Sequence, residues 1–248
     1  MTAIILPRRR FVSTANIQFV GSVVVNGSGA TTPQTLTLSS GLTGGIGSAA
    51  ATGDFVVVLN GWGAGTDDTP TISTSGYTVL SPGTDRYVSA VSGGDANGIA
   101  GFKYFSGAPD ASVQVTWSGN AAKGAVAAAL VFRGVNAATQ MDVTETVASS
   151  NSSILVDPSS ITPITAGAKV LVLGIAAGNA TNITWNMPSS INGWTTAYGT
   201  GSTHSSALGA GYYDWTSGAY DPAAWTLATG SDATTKSYMS WTLALRPA

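Results

Sequence analysis

Two stretches of the chain share one pattern of apolar and small positions. Residues 53–65, GDFVVVLNGWGAG, and residues 167–178, GAKVLVLGIAAG, each run from a glycine through two variable positions into four aliphatic residues. Each then leaves through small residues. A short apolar run closed at both ends by turn formers predicts a buried β-strand. The two copies lie 114 residues apart, close to half of the 248-residue chain, so the pattern predicts a tandem duplication.

Other segments take their places around this pair. IQFVGSVVV (17–25) is rich in β-branched residues and ends on the turn dipeptide Asn26-Gly27, and QTLTL (34–38) puts Leu36 and Leu38 on one face. SGYTVL (75–80) and residues 101–105 predict further strands. VQVTW (113–117) alternates, with Val113, Val115 and Trp117 on one side and Gln114 and Thr116 facing water. The alanine-rich stretch 121–135 is long enough for three helical turns. Its partner in the repeat decides for strand. In residues 237–247, SYMSWTLALRP, Met239, Trp241, Leu243 and Leu245 alternate with Ser240, Thr242, Ala244 and Arg246, a period that belongs to a strand. Strands are therefore predicted over 125–132 and 238–245.

The repeat extends to Ser75-Gly76-Tyr77-Thr78 against Asn192-Gly193-Trp194-Thr195, and to Phe132-Arg133-Gly134 against Leu245-Arg246-Pro247. Turn signals at short intervals then predict an all-β protein, an antiparallel β-sandwich or jelly roll. Residues 1–16 lack periodicity and read as an extended arm. Residues 17–248 read as a single sandwich of two pseudo-repeats, about 17–135 and 140–248, with two separate small sandwiches as the alternative.

Composition narrows the function. Charged residues make up 9% of the chain, against about 25% in average domains, and the net charge is −2. Three of the ten basic residues are Arg8, Arg9 and Arg10, so the body is mildly acidic and offers nucleic acid no attraction. The chain has no cysteine, which excludes disulfides, thiol catalysis and zinc-thiolate sites. The first residues do not read as a secretion signal, and no apolar run of about 20 residues predicts a membrane span.

GDFVVVL, then GYTVL after a proline, a strand ending in an aromatic and SGA, VTWSG, and an alanine-rich strand closing in FRGV follow one another in that order. This series resembles a β-sandwich module of tailed-bacteriophage structural proteins and related bacterial surface proteins. The second half resembles the same series but has Ala168 where the first has Asp54, and AAWTLATG in place of VTWSG. The resemblance implies a non-enzymatic structural component of a virion, in the head decoration, neck, tail or fibre. It also implies other virion proteins as partners, a homo-oligomer, with a trimer favoured, and no cofactor. A glycan-binding adhesin or receptor-binding module is the alternative.

Candidate chemistry is sparse. The single histidine, His204, sits in a polar loop sequence, GTGSTHSSALG, with no catalytic partner marked by spacing. One glutamate, Glu145, and scattered aspartates offer a glycosidase no obvious pair. Asp67, Asp68 and Asp95 read as turn formers rather than calcium ligands, because their spacing matches no calcium loop. Trp62, Tyr77, Trp194, Tyr198 and Tyr220 fall at strand ends or in loops and are candidate glycan contacts, or else plugs for the open ends of the sandwich. In the arm, Ile4, Ile5, Leu6 and Phe11 are suited to adding a strand to a partner's sheet, with Arg8, Arg9 and Arg10 pairing to acidic groups. Contact with packaged DNA and a disordered tail are the alternatives for that segment.

Overall fold

The computed structural model describes residues 16–27, 32–65, 68–82, 87–88, 94–117, 124–179, 182–231 and 236–248. Every regular element among them is a β-strand. The first half holds β1 (Gln18–Gly27), β2 (Gln34–Thr37), β3 (Asp54–Ala64), β4 (Thr71–Ile72), β5 (Thr78–Val79), β6 (Tyr87–Val88), β7 (Asp95–Tyr104), β8 (Ser112–Thr116) and β9 (Ala125–Arg133). The second holds β10 (Met141–Ser153), β11 (Lys169–Asn179), β12 (Asn192–Thr200), β13 (His204–Asp214) and β14 (Lys236–Leu245). The stretch that alanine content leaves open is strand β9, and the anticipated strand near the C-terminus is β14.

All pairings between named strands are antiparallel, and they make two large sheets. The first runs β1-β9-β3-β7-β5, with β6 also on β7, and the second runs β10-β14-β11-β13-β12. In each sheet the half's opening strand pairs with its closing strand. The closing strand pairs with the aliphatic strand, β3 or β11, which takes the centre. A three-stranded sheet, β2-β8-β4, covers the outer face of the first large sheet. Irregular segments cover the second, tied by isolated bridges at Val156↔Trp225, Ile161↔Tyr220 and Trp185↔Leu227.

The two large sheets pack face to face, so the layers are cover, sheet, sheet, cover. That arrangement accounts for the aliphatic runs. All eleven residues of β3 are buried because apolar layers lie on both of its sides, as expected for strands that read as continuous apolar runs. Ser240 and Thr242, on the polar face of β14, are buried too; Thr242 Oγ1 donates to the Ser159 carbonyl at 2.7 Å.

The core between the sheets is a wedge. At its wide end Phe19, Phe132 and Tyr212 meet with ring centroids 5.4 to 5.7 Å apart. At the narrow end the two backbones touch. The Gly124 amide donates to His204 O at 3.0 Å, and the Ser206 hydroxyl donates to Gly124 O at 2.9 Å. A Cβ on Gly124 would lie 2.1 Å from Gly199 O, and one on Gly63 would lie 2.3 Å from Ser205 O. Only glycine permits this approach. The small-residue tail after the aliphatic run of β3, GWGAG, is thus where one sheet closes on the other.

Several boundaries differ from expectation. Asn26 and Gly27, which read as a turn dipeptide, are the last two residues of β1 and pair with Val126 and Ala125; β1 pairs β9 and β2 pairs β8. Strand β7 begins at Asp95, six residues before the apolar segment anticipated at 101. Strand β10 occupies polar sequence that shows no alternation, because it is an edge strand with most of its side chains only half-buried.

Candidate functional site

A concavity lies along the seam where β1, an edge of one large sheet, runs alongside β12, an edge of the other. Both strands depart from regular pairing at the same level. β1 bulges between Phe19 and Gly21 against β9, and β12 shifts register between Asn192 and Thr195 against β13. Bulges bend a strand and re-aim its side chains. Here they leave a cavity of about 560 Å³ lined by Phe19, Ser22 and Val24 on β1 and by Trp194, Thr195 and Thr196 on β12, with Met187 and Thr43 on the rim. Ser22 Oγ and Thr195 Oγ1 lie 2.8 Å apart and tie the two sheets across the seam. A second hollow of about 230 Å³ continues along the same strands, lined by Asn26, Tyr198, Gly199 and Thr200.

Of the five candidate glycan contacts, two lie on this seam. Trp194 is half-buried and lines the larger cavity, and Tyr198, 45% exposed, lines the smaller. Trp62 is corrected from surface contact to core: it is 1% exposed and stacks on Trp117 with centroids 4.9 Å apart, because β3 continues past the apolar run and its end lies under the cover sheet. Tyr77 packs against that same covered core, with Lys103 Nζ 5.4 Å from its ring centroid and paired to Asp110. Burial, and then the Asp110 carboxylate, push its phenol well above the usual range. Tyr220 belongs to the cover of the second sheet, its ring 4.9 Å from that of Tyr213. The anchor residues Ile4, Ile5, Leu6, Arg8, Arg9, Arg10 and Phe11 lie outside the described residues, as does Asp67.

The buried carboxylates of Asp54 and Asp142 serve the fold. Asp54 receives Arg133 through two bonds of 2.8 and 3.0 Å and the Ala51 amide at 2.8 Å. Asp142 accepts the amides of Ile164 and Thr165 at 2.6 and 2.9 Å, with Arg246 at 3.6 Å. Arg133 and Arg246, the arginines of FRG and LRP, each make a charged clasp at the end of a closing strand. His204 opens β13, its Nδ1 3.1 Å from Thr203 Oγ1. Among the described residues no three His, Asp or Glu side chains converge on a metal-sized space, and no helix is long and apolar enough to cross a membrane.

Sequence reasoning missed Ser22, Val24, Asn26, Thr196 and Met187. The walls of the seam come from residues as far apart as Ser22 and Thr195, 173 positions away in sequence, so no local motif marks them. Alternation in residues 194–200, WTTAYGT, is the one signal, since it puts Thr196 and Tyr198 on one exposed face.

Fold and seam together define a class: an all-β protein of two face-to-face antiparallel sheets with a groove between their edges whose described lining residues carry no charge. Comparison with protein-family models, curated protein sequences and solved structures finds no match for this chain.

Proposed function

We propose that the chain is a non-enzymatic structural component of a bacteriophage virion, a decoration, neck, tail or fibre protein, anchored by residues 1–16. It works beside other virion proteins and as a homo-oligomer, with a trimer favoured. The observation that carries this reading is the matching strand order of the two large sheets. It sets GDFVVVL and GAKVLVL at the centres of their sheets and FRG and LRP at the ends of the closing strands. A duplicated module fused through one shared core is a rigid block suited to repeated assembly, and a chain this poor in charge has little to keep its copies apart. Asn16, two residues before β1, lies against Gly134.

Deleting residues 2–11 tests the reading. The body still folds, because its first strand begins at Gln18, but the shortened chain no longer enters particles. Unchanged incorporation of the deletion variant would reject the anchor.

A further inference from the structure

We propose that the seam between β1 and β12 binds a neutral, extended oligosaccharide, with Trp194 and Tyr198 as stacking surfaces and Asn26, Thr43 and Thr196 as hydrogen-bonding partners. Three independent features of the groove lead there.

The first is preorganisation. The Trp194 ring meets Trp225 edge-on at 5.1 Å, and it sits over Gly209, where a Cβ would lie 2.5 Å from the indole. Glycine at 209 therefore makes the space that fixes Trp194 at the cavity wall. A rigid aromatic presents area to a ligand without losing side-chain freedom on binding.

The second is the distribution of exposed apolar groups. The six large hydrophobic residues exposed among the described residues include Val24 at 38%, Met187 at 63% and Tyr198, and all three line the seam. A fourth, Ile46, donates its amide to the Phe19 carbonyl beside the same cavity. Exposed apolar groups gathered in one place mark a binding surface, whereas scattered ones need no explanation.

The third is polarity without charge. The described residues lining the two hollows include serine, threonine and asparagine but no Asp, Glu, Lys, Arg or His. Among the described lining residues phosphorylated or carboxylated ligands find no cation to pair with, while sugar hydroxyls find both donors and acceptors. Trp194 and Tyr198 are four residues apart on one strand, about 13 Å at the usual rise, a span that suits a short run of pyranose rings rather than one monosaccharide. The larger cavity's 560 Å³ falls within the range of ordinary ligand sites, about 300–1,000 Å³.

The test titrates the full chain with hexasaccharides of glucose, galactose and N-acetylglucosamine, and with a sialic-acid oligomer as the charged control, following calorimetry and tryptophan fluorescence. At least one neutral hexasaccharide binds, the charged control binds more weakly, and Tyr198→Ala lowers affinity at least tenfold. Thr196→Arg, on an exposed position, abolishes binding while leaving the circular dichroism spectrum unchanged. The inference is overturned if no neutral hexasaccharide binds at millimolar concentration, if the charged one binds best, or if both variants bind like the wild type. It is also overturned if the wild type self-associates in sedimentation and Thr196→Arg disperses it, since the seam would then be a contact between copies. Particle incorporation plays no part in these measurements, so this inference and the virion reading fail separately.

Discussion

Replacing Gly124 by alanine probes the place where the two sheets touch. The new Cβ would lie 2.1 Å from Gly199 O and 2.6 Å from Gly199 C, where ordinary contact is 3.4–4 Å. Both obstacles are backbone, so no side chain can swing aside and the sheets must part. Parting them breaks the bonds from the Gly124 amide to His204 O and from the Ser206 hydroxyl to Gly124 O. Overpacking costs about 1–3 kcal/mol, and each buried group left without a partner costs about 1–3 kcal/mol more. Partial relaxation brings the total to roughly 3–5 kcal/mol, a large share of the 5–15 kcal/mol typical of whole domains. At about 2–4 °C per kcal/mol for a chain of this size, the melting temperature falls by roughly 10 °C. Differential scanning calorimetry measures it, with Gly107→Ala as control, since a Cβ at Gly107 meets nothing within 4 Å. Equal melting temperatures for the two variants would refute the backbone contact between sheets.

Three further outcomes follow from the clasps and the outer cover. Burial alone would raise the Asp142 pKa, but hydrogen bonds from Thr165 and the Ile164 amide, with Arg246 beside them, hold it below the ordinary carboxylate value. Its stabilisation is therefore complete above the unfolded value of about 3.9 and is lost as pH falls through the lower folded value. Asp142→Asn flattens this part of the acid limb in urea midpoints measured from pH 7 to pH 2. Arg133→Ala strands the fully buried Asp54 carboxylate, whereas Asp54→Ala leaves a guanidinium that is 45% exposed and able to rehydrate. The arginine variant is thus the less stable of the two in chemical denaturation, and the reverse order would contradict the clasp. Trp225→Ala empties a fully buried site packed over Gly174 and Gly209 and costs about 3–5 kcal/mol by the same measurement.

The strands most legible in the sequence are those whose burial is uniform or strictly alternating. β3 and β11 show as aliphatic runs because apolar layers cover both their faces, and β8 shows as VQVT because only one of its faces is covered. β10 and the start of β7 are obscured for opposite reasons. β10 is a half-exposed edge without a clean period, and residues 95–98 of β7 are small or polar where Gly98 has to clear Ile175. The sequence puts Trp62 at a strand end because the aliphatic run stops at Leu59, while the strand itself runs on to Ala64. The seam was legible only through Trp194 and Tyr198. Its other wall comes from β1, and neither the bulges nor the meeting of two sheet edges leaves a mark at fixed spacing.

The claim that this chain is a virion building block is tested most directly on particles purified through a density gradient from lysed cells carrying its gene, with quantitative mass spectrometry across the fractions. The chain is expected to move with the particle peak, in a fixed ratio to the other particle proteins that survives high-salt washing. Recovery of the chain only in the slowly sedimenting fractions, with none in the particle peak, would contradict it.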